Sequence, residues 1–168
     1  MILLSLNIRG VGGLLKKASL RRLLSKTTPD IIFLQETLVS EQKARFFLNS
    51  LRPDWMVCVV NDLGKSCRLL VPWDPKVFIL TLFLSSDSIL LTRLYVSDHR
   101  RINFLNVYGP CFERKHFWKK VEGMGLLAKG DMVIVGDLNL TSTVDEVWEV
   151  TTLYDPLALF FKEMFCRI

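Results

Sequence analysis

The chain has 168 residues, half of them hydrophobic, with a mean hydropathy of +0.29, and a chain of this size is expected to bury a core of its own. Its longest apolar stretch, Val77 to Leu80 and Leu82 to Leu84 around Thr81, falls well short of the roughly 20 residues of a membrane-spanning helix, and Met1 to Leu4 has neither the basic start nor the cleavage pattern of a secretory signal. Lys and Arg exceed Asp and Glu by 22 to 17, a net +5 that mildly favours a polyanionic partner, while Cys58, Cys67, Cys111 and Cys166 form no C-x-x-C pair and read as free thiols in a reducing compartment.

The pattern opens with a strand, Ile2 to Leu6. A basic helix is predicted from Leu14 to Lys26, with Leu20, Leu23 and Leu24 at helical spacing among Lys16, Lys17, Arg21 and Arg22. Thr28-Pro29-Asp30 breaks it. Ile31 to Leu34 reads as a buried strand and Glu41 to Leu51 as a helix. Strands follow at Trp55 to Val60, Arg68 to Val71, Val77 to Leu84, Ile89 to Val96 and Ile102 to Val107. Turn-like clusters separate them at Asn61-Asp62, Trp73-Asp74-Pro75 and Ser85 to Ser88. Glu113 to Glu122 reads as a helix, Met132 to Val135 as a short strand, and Asp155-Pro156 as the start of a helix running to about Phe165. Mixed helices and strands of this kind predict an α+β, layered α/β domain. Phe160, Phe161 and Phe165 give the last helix an apolar face with no partner in view.

Four polar clusters sit where predicted strands end. In Ser5-Leu6-Asn7-Ile8-Arg9-Gly10, Asn7 and Arg9 leave a buried strand at a sheet rim, where sites form; taken alone, a plain turn explains them better. In Leu34-Gln35-Glu36-Thr37, Glu36 is placed to hold a hard cation, or simply to solvate the strand end. In Asn106-Val107-Tyr108-Gly109-Pro110, the Tyr108 hydroxyl suits a phosphate oxygen. In Val135-Gly136-Asp137-Leu138-Asn139, an extended backbone would send Asp137 and Asn139 to the same side. Each cluster alone is as well or better explained by an ordinary turn, a solvated strand end or, for Tyr108, a core-edge residue.

Together, in this order, S-L-N-I-R-G, L-Q-E-T, N-V-Y-G-P and V-G-D-L-N-L resemble the endonuclease/exonuclease/phosphatase family. The flanks Val71-Pro72-Trp73-Asp74-Pro75, Glu146-Val147-Trp148 and Asp155-Pro156-Leu157 resemble the endonuclease domains of plant LINE-type (non-LTR) retrotransposons. The resemblance covers nearly all of residues 1–168. It implies a four-layer αββα sandwich, two packed mixed sheets flanked by helices, incomplete at the C-terminus. It implies a Mg²⁺- or Mn²⁺-dependent phosphodiesterase that nicks DNA, working inside the cell, in the nucleus, with no membrane attachment. Glu36 would be the principal metal ligand, with Asn7 beside it. Tyr108 would hydrogen-bond the scissile phosphate, Asp137 would orient or deprotonate the attacking water or serve the leaving group, and Asn139 would bind the phosphate. Apart from the resemblance, the basic residues Arg9, Lys16, Lys17, Arg21 and Arg22 are candidates to meet the DNA backbone, and a solvated helix face explains the basic segment as well.

The chain departs from the family in three places. Leu6 stands where Trp is usual. Ser66-Cys67-Arg68 stands where Ser-Gly-Gly is common. The terminal Ser-Asp-His motif, expected well after Gly-Asp-x-Asn, does not occur there. Ser97-Asp98-His99 precedes Tyr108 and Asp137, so it reads as a hairpin turn rather than a substitute, and His116 reads as solvent-facing. A C-terminally truncated, poorly soluble and nearly inactive chain is therefore expected, active once extended. The competing readings are a non-enzymatic remnant with weak nucleic-acid binding, and a repair endonuclease or phosphatase of the same family.

Overall fold

A computed structural model describes residues 1–62, 66–95, 100–127, 130–141 and 155–166. The chain divides into two compact units: residues 1–108 with 131–137, and residues 109–130 with 138–168.

The first unit contains two four-stranded mixed sheets. In one, β1 (Leu3–Asn7) lies parallel to β2 (Ile31–Val39), followed by β4 (Ser66–Trp73) and β3 (Met56–Asp62), both antiparallel. In the other, β5 (Ile79–Ser86), β6 (Ile89–Tyr95) and β7 (Arg101–Tyr108) form a meander, and β8 (Met132–Asp137) adds in parallel to β7. The sheets pack face to face. Helices α1 (Leu14–Thr27) and α2 (Glu41–Leu51) cover the other face of the first sheet.

β2 explains the layering. Its apolar run sends Ile31 and Phe33 into the core between the sheets, and Ile32 and Leu34 into the core beneath the helices. A strand buried on both faces needs apolar residues at every position rather than at alternate ones. β4 repeats this with Leu69 and Val71 on one side and Leu70 on the other. α2 starts at Ser40, whose hydroxyl accepts a hydrogen bond from the Lys43 N–H at 3.5 Å, and it buries Ala44, Phe47 and Leu48 at the spacing of one helical face. α1 buries Leu20 and Leu24 and ends at Thr28, in the left-handed region just before Pro29.

In the second unit, α3 (Arg114–Gly123) and α4 (Ala158–Cys166) share an aromatic cluster. The fully buried Trp118 meets Phe161 and Phe165 edge-on, with ring centroids 6.1 and 5.7 Å apart. Lys115 lies over the ring of Phe160. The last helix is therefore not left without a partner, as its three phenylalanines suggested.

Other boundaries differ from expectation for local reasons. β2 runs on to Val39 because the chain after β1 bonds alongside it. Asn61-Asp62 belongs to β3, paired with Cys67 and Ser66 across a register shift, and is not a turn. α4 begins at Ala158 rather than at Asp155, whose carboxylate is engaged by Arg114 and by the Leu157 N–H. His116 is exposed, as expected. Ser97-Asp98-His99 and Glu146-Val147-Trp148 lie outside the described residues. Cys58, Cys111 and Cys166 are free thiols, and burial pushes the Cys58 thiol above its ordinary pKa. No helix among the described residues is long and apolar enough to cross a membrane.

Candidate active site

The carboxyl ends of β1, β7 and β8 carry Asn7, Tyr108 and Asp137, all within the first unit. Glu36 lies in β2, one residue past Gln35, the register partner of Asn7. The Asn7 side-chain Nδ2 donates to Glu36 Oε1 at 3.2 Å and to Asp137 Oδ2 at 2.6 Å. One amide thus bridges two carboxylates from different sheets, and all three residues are only half-buried. Tyr108 is the register partner of Asp137.

Glu36 is aimed by an irregularity in its strand. Between Gln35 and Val39, β2 advances four residues while β4 advances two, from Leu69 to Cys67. Glu36 and Leu38 take up the difference with φ of 51° and 52°. A non-glycine residue in that region costs about 1 kcal/mol or more, and such strain collects where a side chain must be re-aimed. The chain leaving β1 holds the irregular stretch: Ile8, Gly10 and Val11 N–H groups donate to the Gln35, Glu36 and Thr37 carbonyls. Arg9, at φ 44°, donates its N–H to Asn7 Oδ1 at 3.2 Å. The Lys16 ammonium donates to the Ile8 and Arg9 carbonyls. Lys16, expected to face a DNA backbone, therefore braces the turn that orients Asn7.

One step below lies a second polar group. Gln35 Nε2 donates to Asn106 Oδ1 at 2.7 Å and to Ser5 Oγ at 3.3 Å, joining the two sheets. Ser5 and Asn106 each stand two residues before Asn7 and Tyr108, so the pair repeats the site's geometry inside the apolar interlayer. Asn106 is fully buried, and its Nδ2 has no hydrogen-bond partner among the described residues. Sequence reasoning misses Gln35 and Asn106 because their neighbours Glu36 and Tyr108 carry the stronger chemical signal. The sign that could have found them is a polar residue at a position where strand periodicity demands burial.

Asn139 belongs to the second unit, where its Nδ2 donates to the Gly109 carbonyl. The backbone between Asp137 and Asn139 is not extended, since Asn139 has φ 48°, so two-residue alternation does not describe that pair. Lys17 lies over the Phe47 ring, while Arg9, Arg21 and Arg22 are exposed.

Also in the second unit, Arg114 grips Asp155 with both guanidinium nitrogens, at 2.5 and 2.9 Å, and donates to the Asn139 carbonyl as well. Burial opposes charge on Asp155. The bonds from Arg114 and from the Leu157 and Thr141 N–H groups outweigh it and hold the carboxyl below the usual carboxylate range. A depressed folded-state pKa contributes stability above the unfolded pKa and loses it as pH falls through the folded value. Asp155→Asn is expected to cost about 1–3 kcal/mol at pH 7. The gap from wild type should close as pH falls below roughly 4. Urea unfolding at a series of pH values measures this, and a gap constant down to strongly acid pH contradicts it.

Among the described residues, no group of three or more His, Cys, Asp and Glu side chains gathers to hold a metal ion. The Glu36 carboxylate and, once the Asn7 amide presents Oδ1, an amide oxygen beside it are nevertheless oxygen donors of the kind that suit a hard divalent cation keeping several waters. The bridging Asn7 Nδ2 shows that both carboxylates already converge on one small donor.

A model of the endonuclease/exonuclease/phosphatase family matches residues 4–155, and the chain belongs to that family. Its members hydrolyse phosphate esters. Among solved structures, the chain is similar to the endonuclease domain of TRAS1, a telomere-specific non-LTR retrotransposon, at 14% identity and a TM-score of 0.73, over 98% of this chain and 70% of that one. It is similar to the AP endonuclease LMAP from Leishmania major at 18% identity and TM-score 0.70, over 98% and 65% of the two chains. It is also similar to an AP endonuclease from Archaeoglobus fulgidus at 16% identity and TM-score 0.66, over 99% and 71%. At these identities the likeness concerns the fold: two packed mixed sheets with flanking helices. No match was found among curated protein sequences.

Proposed function

We propose that this chain is the catalytic part of a divalent-metal-dependent phosphodiesterase, and specifically a DNA-nicking endonuclease of the retrotransposon type. The observation that carries the proposal is the Asn7 amide held between Glu36 and Asp137 at the meeting of two sheets. Glu36 and Asn7 would hold Mg²⁺ or Mn²⁺, which when bound neutralises charge on the phosphoryl oxygens. Tyr108 donates its hydroxyl to a phosphate oxygen. Asp137 orients the attacking water and accepts its proton at a carboxylate oxygen. Asn139 would take the phosphate contact that the family resemblance implies for it. DNA is the proposed partner and the nucleus the proposed location. The retrotransposon-like flanks rank this above a repair endonuclease or a phosphatase of the same fold, and the fold likeness to TRAS1 is consistent with that order.

A supercoiled-plasmid assay with the folded protein tests the proposal. Conversion to open circles in Mg²⁺ or Mn²⁺, abolished by EDTA, is the expected result. No conversion with either metal, by folded protein, would favour the non-enzymatic remnant.

A further inference from the structure

Beside the site, but separate from it, a groove of about 510 Å³ runs between α1 and α2. That lies within the roughly 300–1,000 Å³ of ligand-sized clefts. Its apolar lining is Val11, Val39 and Phe47 with Phe46, and its charged lining is Lys17 and Lys43. Phe47 is buried in the helix core, but Phe46, its sequence neighbour, is 75% exposed. An aromatic ring left in water at the rim of an apolar cleft is a standing cost of burial forgone.

The charge around the groove has one sign. α1 carries Lys16, Lys17, Arg21, Arg22 and Lys26 and no carboxylate. The only carboxylate of α2, Glu41, is paired with Arg45 at 2.7 Å. An occupant must therefore offer anionic groups to Lys17 and Lys43 and a flat apolar face to Phe46. Duplex DNA offers the first only, because its base faces are stacked on one another. An unpaired strand offers both, at the spacing of backbone and base.

We infer that the α1–α2 groove binds a single-stranded segment of nucleic acid, with a base stacked on Phe46 and phosphates on Lys17 and Lys43. This deepens the proposed function by giving the enzyme a holding site for an unpaired strand next to the cleavage site. It rests on that reading only for its purpose, since binding here needs neither the metal nor Glu36.

The test is fluorescence anisotropy of the folded 168-residue chain in EDTA, with labelled dT12 and with a 12-base-pair hairpin as probes. Phe46→Ala is expected to weaken dT12 binding about 5- to 100-fold and hairpin binding much less. Phe46→Trp should restore it. Replacing Lys17 and Lys43 by Gln should lower the salt slope for dT12 by about 1.4, roughly 0.7 for each phosphate no longer neutralised. Phe46→Ala leaving dT12 binding unchanged, or weakening both probes equally, overturns the inference. So does Phe46-dependent binding to phosphatidylserine vesicles with dT12 binding unaffected. Failure of plasmid nicking with dT12 binding intact and Phe46-dependent would sink the proposed activity and leave the groove standing.

Discussion

Glu36→Gln is expected to lower metal-dependent phosphodiester cleavage by about 10²–10³-fold or more while the protein stays folded. The substitution keeps the shape of the side chain and one oxygen, so the Asn7 amide retains an acceptor at the position of Oε1. What disappears is the negative charge that a divalent cation requires. The irregular β2 segment is held by backbone bonds from Ile8, Gly10 and Val11, none of which involves the carboxylate, so its conformation should survive. Two measurements separate the outcomes. Plasmid nicking should collapse, and the rise in melting temperature on adding Mn²⁺ should vanish, while the melting temperature in EDTA stays near that of wild type. A variant that nicks within about threefold of wild type would remove Glu36 from the metal site.

Gly136→Ala is expected to be the most damaging single methyl group in the first unit. Gly136 sits in β8 at φ 122°, a conformation L side chains rarely adopt, paired with Val107. A Cβ there would collide with the Val107 carbonyl oxygen and lie 3.0 Å from the Val107 nitrogen. These are backbone atoms of β7, an inner strand held between β6 and β8, so β7 cannot yield cheaply. A loss of about 3 kcal/mol or more is expected from strain and overpacking together. Gly10 is the control: it also has positive φ, at 89°, but a Cβ there meets nothing within 4 Å. Gly10→Ala should cost only the conformational strain, about 1–2 kcal/mol. Urea unfolding compares the two, and equal losses would show that the close approach to Val107 is not what matters. Because Asp137 follows Gly136 directly, activity should fall along with stability.

These two residues also show what could be read in the chain and what could not. The Gly136 position was visible as part of V-G-D-L-N, but its reason, backbone contact with a strand far earlier in the chain, appears only in three dimensions. Most strands and the first three helices were legible, because burial on two faces leaves continuous apolar runs and burial on one leaves a helical stripe. The boundaries that shifted, at Val39, Asp62 and Ala158, are set by partners distant in sequence. Asn7, Tyr108 and Asp137 were legible as strand-end residues, whereas Glu36 lies inside β2, which runs on to Val39; the meeting of Asn7 with Glu36 and Asp137 depended on pairings between distant segments. The role of Lys16 was not legible, since a lysine on a basic helix looks the same whether it faces solvent or ties down a turn.

The Gln35–Asn106 bond bears on how the two sheets find each other. An interlayer made only of Leu, Ile, Val and Phe would tolerate sliding, because apolar contacts are non-directional and any overlap of similar area is nearly as good. A buried amide pair is intolerant of it. Displace one sheet by a single residue, about 3.3 Å, and the two amides part, leaving polar groups without partners in a dry core, at about 1–3 kcal/mol each. The penalty falls on every misaligned packing and spares the aligned one. The bond would then act less as glue than as a latch with one closed position, and it sits one step beneath the cluster of Asn7, Glu36 and Asp137.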